Sequence, residues 1–174
     1  MRAQRVLLTI CAAATRPYRD PMHRILLPVA FALLANLARA GEIDLTAGAS
    51  ATVGVRWAAA AFIDAGTDAH GHWQPIATLG WIGSRNDDND NLEHDVVIAG
   101  AGVRFVDFWG GAFIGLEAAY VDQRTGALSS REQFISSLGW HGERLVLMVR
   151  HISNGNIFGG RNLGETMVLA GVTF

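Results

Sequence analysis

Residues 96–120, VVIAGAGVRFVDFWGGAFIGLEAAY, contain two alternating segments separated by a pair of glycines. In the first segment every odd position from 97 to 105 is apolar, and the other positions include two glycines and Arg104. After Gly110 and Gly111, every even position from 112 to 120 is apolar, while Glu117 belongs to the other set. Because successive side chains of a strand point to opposite faces, this period of two predicts two strands, each with one wholly apolar face.

The same alternation continues on both sides of this segment pair. Toward the N-terminus it predicts strands around residues 48–63 and 73–84, and the first of these is long enough to be a broken pair. Toward the C-terminus it predicts strands over residues 133–141, 144–154 and 166–174. No linker-like or repetitive segment interrupts the chain after residue 41. The sequence therefore predicts one all-β domain.

Charged residues fall inside these predicted strands, namely Arg56, Arg104, Glu117 and Arg150. A lone charge in the apolar core of a soluble sandwich carries a heavy desolvation cost, so these side chains need a polar interior. A transmembrane barrel has such an interior, because its apolar side chains face lipid and its lumen is polar. The alternative is a soluble lipocalin-like barrel, in which the two faces would have the reverse polarity.

Aromatic residues near the predicted strand ends also favour a membrane barrel, since Trp and Tyr are enriched at membrane interfaces. They are Trp57, Trp73, Trp81, Trp109, Tyr120 and Trp140. The chain ends in Phe174, which shares its parity with Val168, Ala170 and Val172. We therefore expect the final strand to face lipid with this set.

The N-terminal 40 residues resemble a targeting segment. Residues 22–40 combine a basic start, an apolar run over 25–37 and an Ala38-Arg39-Ala40 cleavage site, as in a secretory signal peptide. The apolar run is shorter than the roughly 20 residues that a spanning helix needs, so a membrane anchor is the less favoured alternative. Residues 1–21 are expected to reflect a start codon assigned too early. The mature chain would then be residues 41–174, without Cys11 and without a disulfide.

The charge of that mature chain argues against some partners. Residues 41–174 hold eight arginines and fifteen acidic residues, a net charge of about −7 by side-chain count. Nucleic acid is therefore not an expected partner. His70 and His72 lie two apart, but no carboxylate-rich framework with ligand spacing accompanies them, so we expect no metal site there. The acidic stretch over 85–95 is expected to be a solvated loop, because it lacks the spacing of a calcium loop.

The segment RHISNGN, residues 150–156, carries the candidate chemistry. By strand parity His151 and Ser153 share the apolar face of Leu145, Leu147 and Val149. A histidine on such a face costs free energy unless it is paired or functional. An imidazole beside a hydroxyl is the arrangement by which a base activates a nucleophile.

A third group is needed to orient that imidazole, and Glu165 is the only carboxylate in the following segment IFGGRNLGETMV. A Ser-His-Glu triad is thus available from His151, Ser153 and Glu165. Asn154 and Asn162 are candidate donors to an oxyanion. From spacing alone, an ordinary hydrogen-bonded histidine at a barrel rim is the favoured interpretation.

The block RHISNGNIFGGRNLGE, residues 150–165, followed by a short strand ending in Phe174, resembles the signature of the PagL family. The members of this family are lipid A 3-O-deacylases of Gram-negative outer membranes. The resemblance implies an eight-stranded antiparallel barrel in the bacterial outer membrane that uses no metal or cofactor. It implies Ser153 as nucleophile, His151 as general base and Glu165 as the orienting acid. It also implies Asn162 as oxyanion donor, Asn154 as the residue that shapes the turn, and residues 155–160 as the loop that approaches the ester of lipid A or lipopolysaccharide.

One geometric difficulty accompanies this assignment. Counted from an outward-facing Phe174, Glu165 falls on the inward parity, so a turn or bulge before Thr166 is needed to bring it to His151. Two other functions stay open: a non-enzymatic outer-membrane barrel with a structural, adhesion or resistance role, and a soluble periplasmic binding barrel. A monomer and a homodimer are both compatible with the sequence.

Overall fold

The computed structural model describes residues 41–51, 57–85, 91–157 and 163–174. Several predictions concern residues outside these ranges. They are the signal peptide over 22–40 with its cleavage site, the early start over 1–21, Cys11, the inward orientation of Arg56, and the role of Asn162. The described residues contain no helix long and apolar enough to cross a membrane.

The described chain forms eight strands, which confirms the all-β prediction. They are β1 (Ile43–Ala51), β2 (Ala58–Gly66), β3 (Trp73–Ile82), β4 (Val96–Phe105), β5 (Ala112–Val121), β6 (Glu132–His141), β7 (Leu145–Ser153) and β8 (Glu165–Thr173). Each strand pairs antiparallel with its neighbours in sequence, and β1 pairs with β8 to close the barrel. The predicted segment over 48–63 is indeed a broken pair, because β1 and β2 each contribute part of it. The eight-stranded closed antiparallel barrel is therefore confirmed.

The two ends of the barrel differ. One end, the terminal end, holds the start of β1, the end of β8 and the connections over 67–72, 106–111 and 142–144. Left-handed glycines occur in two of these connections, Gly71 in the first and Gly110 and Gly111 in the second. The opposite end, the loop end, holds the ends of β1, β3, β5 and β7 and the starts of β2, β4, β6 and β8. The candidate residues of β7 lie at the loop end.

Large apolar side chains cover much of the outer wall. Exposed examples on six strands are Leu45, Val103, Leu116, Leu138, Leu147, Val149, Val168 and Val172. Trp57, Trp73, Trp109 and Trp140 are also exposed. The first two and Trp140 lie at or next to a strand end, and Trp109 lies in the connection between β4 and β5. Phe174 is 74% exposed and continues the outward set of β8, as its parity predicts. An apolar wall that ends in aromatic side chains is what a transmembrane barrel presents to lipid.

The interior holds the charged residues that the alternation assigned to it. Arg104, Glu117 and Arg150 are all buried, which confirms their inward orientation. Nη2 of Arg150 lies 2.8 Å from a carboxylate oxygen of Asp64, and Nη1 of Arg104 lies 3.0 Å from one of Asp44. With charges inside and leucines outside, the barrel has the opposite polarity to a soluble lipocalin-like barrel, so that alternative is wrong.

The interior is not polar throughout, however. Near the loop end it is filled by apolar side chains from strands and loops, among them Ile82, Leu92, Ile98, Leu128, Ile135 and Ile152. The expectation of a polar lumen therefore holds in part, because apolar side chains share the interior with buried charged and polar groups. An eight-stranded barrel is just narrow enough to be filled by its own side chains. Here both apolar and charged side chains fill it.

Candidate active site

His151 and Ser153 lie at the loop end of β7, on the outer wall. They share that wall with Leu145, Leu147 and Val149, all of which are exposed, as the parity predicts. In the register of the neighbouring strands, Ser136 of β6 lies opposite His151 on one side and Thr166 of β8 on the other. His151 and Ser153, together with Ser136 and Thr166, thus form a polar site on an otherwise apolar surface.

The imidazole of His151 is held by β8. Its Nδ1 lies 2.9 Å from Oγ1 of Thr166, within hydrogen-bond distance. An Nδ1–H that donates to this hydroxyl leaves Nε2 unprotonated and able to accept a proton, which is the tautomer that a general base requires. In the described residues no hydrogen bond joins the Ser153 hydroxyl to this ring. Catalytic hydrogen bonds of this kind often form only when substrate is present.

The other edge of the imidazole lies against Gly164. A Cβ atom at Gly164 would lie 2.8 Å from Cε1 and 3.1 Å from Nε2 of His151. The same atom would lie 2.9 Å from the carbonyl oxygen of Ile152, which cannot move freely. Gly164 also has a φ of +71°, where a side chain is strained. The backbone at this position therefore favours glycine. The absence of a side chain leaves room for the imidazole of His151.

Glu165 does not lie beside His151. Its carboxylate is buried in the interior, where it accepts hydrogen bonds from the guanidinium of Arg85 and the hydroxyl of Ser50. The register of β7 and β8 runs without a bulge from Leu145 opposite Val172 to Ile152 opposite Glu165. The turn or bulge that the triad needs is absent from this stretch, so strand parity keeps the two side chains on opposite faces.

Asn154 also directs its side chain inward. Its Nδ2 donates to Oγ of Ser130 at 2.9 Å, and its Oδ1 accepts from the backbone N–H of Asn156 at 2.8 Å. The second bond closes the turn that follows β7, in which Gly155 and Asn156 both have positive φ. Because the amide group is engaged in the interior, the structure does not place it as an oxyanion donor at Ser153.

A second polar cluster occupies the terminal end of the interior. His141 lies 3.1 Å from a carboxylate oxygen of Glu42 through Nδ1 and 3.0 Å from one of Asp44 through Nε2. These three groups could together hold a metal ion, and the sequence analysis did not detect them. Arg104 already supplies a positive charge there, 3.0 Å from Asp44 and 3.3 Å from Glu42. Burial raises the pKa of the Glu42 carboxyl group, which is the effect of desolvating a charge.

Thr166 and Gly164 are parts of the site that were not predicted from the sequence. The parity count that assigned Glu165 to the interior places Thr166 outward, on the face of Phe174 and therefore beside His151. The signal was present in the alternation of β8. A carboxylate is the more usual orienting group, and the neighbouring position, Glu165, supplies one.

No family model matches the chain. No curated protein matches it either. Among solved structures, the attachment invasion locus protein Ail of Yersinia pestis matches with 15% identity and a TM-score of 0.42, over 78% of this chain and 99% of that one. A likeness at this level carries no information on activity.

Proposed function

We propose that this protein is an integral outer-membrane serine esterase that removes the 3-O-linked hydroxyacyl chain of lipid A. The observation that carries the proposal is the outward position of His151 and Ser153 on an apolar wall. The similarity of residues 150–165 to the PagL signature supports the substrate. The expected location is the bacterial outer membrane, because a signal-like N-terminus and a barrel with an apolar exterior together fit that compartment.

The position of the pair suits a substrate that is itself a membrane lipid. A polar group on a lipid-facing wall is costly unless it is paired or has a function. His151 and Ser153 lie at the loop end of β7, next to the edge of the apolar wall rather than in its middle. The ester bonds of lipid A lie near that boundary, between the sugar and the acyl chains. A nucleophile on the outer wall can therefore meet the ester without extracting the lipid.

The proposed reaction is acyl transfer from lipid A to water. Nε2 of His151 takes the proton of the Ser153 hydroxyl as its oxygen attacks the ester carbonyl. The bond from the acyl carbon to the glucosamine oxygen breaks, and the imidazolium returns the proton to that oxygen. His151 then deprotonates a water molecule, which attacks the acyl-enzyme. The 3-hydroxy fatty acid leaves and the Ser153 hydroxyl is restored.

A non-enzymatic outer-membrane barrel is the second candidate. Two observations favour it: the carboxylate of Glu165 is engaged by Arg85 on the other face, and no hydrogen bond joins the Ser153 hydroxyl to His151. In that case the protein would have a structural, adhesion or resistance role. His151 would then be a surface histidine hydrogen-bonded to Thr166.

Mass spectrometry of lipid A distinguishes the two. Cells of a Gram-negative host that express the wild-type chain should lose the mass of one hydroxyacyl chain from lipid A, and cells with Ser153→Ala should not. Ser136→Ala is the matched control, because Ser136 is also an outward serine and its hydroxyl donates to the backbone oxygen of His151 at 3.5 Å. Unchanged lipid A with a folded wild-type barrel in the membrane would favour the non-enzymatic candidate.

A further inference from the structure

We infer that Thr166 and Gly164 form a seat that positions the imidazole of His151 for proton transfer. Thr166 would bind Nδ1, and Gly164 would leave the space that the Nε2 edge occupies. The inference rests on the proposed function, since it assigns positioning residues to the same reaction. It differs from the triad expected from sequence, in which Glu165 has the orienting role.

Thr166 has the position and the chemistry that an orienting residue needs. It lies directly across from His151 in the register of β7 and β8, and its Oγ1 is 2.9 Å from Nδ1. Both side chains point outward, so the contact requires no bulge or rearrangement of the sheet. In the arrangement we infer, this hydroxyl accepts from Nδ1–H and leaves Nε2 basic, the role that the acceptor-only aspartate has in a Ser-His-Asp triad.

Gly164 completes the seat on the other edge of the ring. Gly164 directly precedes Glu165, the first residue of β8 that is paired with β7, and a Cβ atom built on it would lie 3.1 Å from Nε2 of His151. That Cβ atom would come closest to Cε1, at 2.8 Å, next to Nε2, the nitrogen that would receive the proton. Any side chain at this position would displace that edge. Glycine at this position therefore both allows the positive φ and leaves space for the imidazole.

A hydroxyl is also a suitable orienting group for this location. A carboxylate on a lipid-facing wall carries a desolvation penalty, whereas a threonine hydroxyl that bonds to a neighbouring strand does not bring a net charge. Glu165 is satisfied in the interior by Arg85 and Ser50. The pairing pattern thus separates two roles: Glu165 fixes the start of β8 from inside, and Thr166 holds the base from outside.

The test uses the full chain, purified from membranes in detergent micelles, with lipid A in mixed micelles as substrate. Thr166→Val removes the hydroxyl at nearly constant shape, and Thr166→Ser restores it. Thr67→Val makes the same change in a turn at the terminal end and serves as control. Deacylation gives kcat and KM, and the nitrogen and carbon chemical shifts of the His151 ring give its tautomer independently of activity.

Thr166→Val should lower kcat about ten- to hundredfold with little change in KM, the size expected when a catalytic group is misplaced by roughly 1 Å. The ring should become a mixture of tautomers, and Thr166→Ser should recover both properties. Wild-type kcat and a wild-type tautomer in Thr166→Val would overturn the inference. A wild-type protein that does not deacylate lipid A would contradict the proposed function instead, and the ring shifts would still decide whether Thr166 holds His151. If Thr166→Val does not insert, Thr166→Ala replaces it under the same two criteria.

Discussion

Arg85 and Glu165 form a buried ion pair that joins the loop after β3 to the first residue of β8. Arg85 also donates to the backbone oxygen of Ser50 in β1, so its guanidinium connects three separate parts of the barrel at the loop end. Glu165 lies between Gly164 and Thr166, the two residues that contact His151. The ion pair therefore fixes, from inside, the backbone that holds the proposed base on the outside.

Replacing Glu165 by glutamine should destabilise the barrel and slow deacylation only moderately. The change removes one charge of a buried pair, and breaking such a pair costs about 3–5 kcal/mol because the other charge stays buried. Urea unfolding in lipid vesicles measures the loss. Glu132→Gln, at an exposed glutamate at the start of β6, is the control and should unfold like the wild type. A fully stable Glu165→Gln that is as inactive as Ser153→Ala would instead support a direct catalytic role for this carboxylate.

The central ion pair of the interior leads to a second prediction. Asp64→Asn removes the carboxylate 2.8 Å from Arg150, and the next carboxylate, on Glu117, is 4.0 Å away. Because Arg150 is fully buried, we expect a loss of about 3–5 kcal/mol in the free energy of unfolding. Asp68→Asn, in the exposed turn after β2, should have no measurable effect. Equal unfolding of the two variants would show that the Asp64 pair does not stabilise the barrel.

The fold follows closely from the alternation because each strand is buried on one face only. In β4 the apolar odd residues point outward and Arg104 points inward, as their spacing requires. Register cannot slip by one residue without placing every such charge in lipid. The apolar filling near the loop end could not be predicted, since it depends on side chains such as Leu92 and Leu128, which loops bring back into the barrel.

The candidate site was predictable only in part, and for a related reason. Parity correctly places His151 and Ser153 on one face, because that relationship is local to one strand. The partner of the imidazole depends on the register between β7 and β8, which no local pattern specifies. By residue type Glu165 is the expected partner, whereas the observed register brings Thr166 to the ring. Arg85, the partner of Glu165, lies 80 positions away in sequence and left no local signal.

The outer wall gives a third prediction, which concerns insertion. Leu116→Arg places a charge on an exposed leucine in the middle of β5, where contact with the hydrocarbon core is expected. Such a charge costs about 2–4 kcal/mol at the bilayer midplane and about 0–1 kcal/mol near the interfaces. Leu145→Arg is a matched control, because Leu145 is similarly exposed but begins β7 at the terminal end.

Folding yields into vesicles, read from the electrophoretic shift between heated and unheated samples, measure the difference. Leu116→Arg should insert less well than Leu145→Arg. If the two variants insert equally well, the wall around Leu116 does not face lipid, and the proposed membrane location loses its main physical support.

A fourth prediction concerns the seat of the imidazole. Gly164→Ala should reduce deacylation strongly, because the new methyl group would overlap the Cε1 edge of His151 and the carbonyl of Ile152. Gly155→Ala is the control. Gly155 also has a positive φ, +59°, but a Cβ atom there makes only ordinary contacts with Ile157, at 3.6 Å. Both variants should lose about 1–2 kcal/mol of stability to backbone strain, Gly164→Ala should lose more because its methyl group also meets the carbonyl of Ile152, and only Gly164→Ala should lose most of its activity per folded protein. Equal activities would mean that the ring does not need this space.

The fifth prediction concerns Ser153 and His151 as a pair. Ser153→Ala and His151→Asn should each abolish release of the hydroxyacyl chain, because each removes one of the two atoms between which the proton moves. Both side chains lie on the outer wall, whereas the barrel is closed by backbone pairing and filled from within, so both variants should still fold. If the residues act as one unit, the double variant should be about as inactive as either single variant.

Lipid A mass spectra from membranes with matched amounts of folded barrel give the comparison. A double variant that is far less active than both single variants would mean that the residues contribute independently, and full activity in Ser153→Ala would exclude Ser153 as the nucleophile.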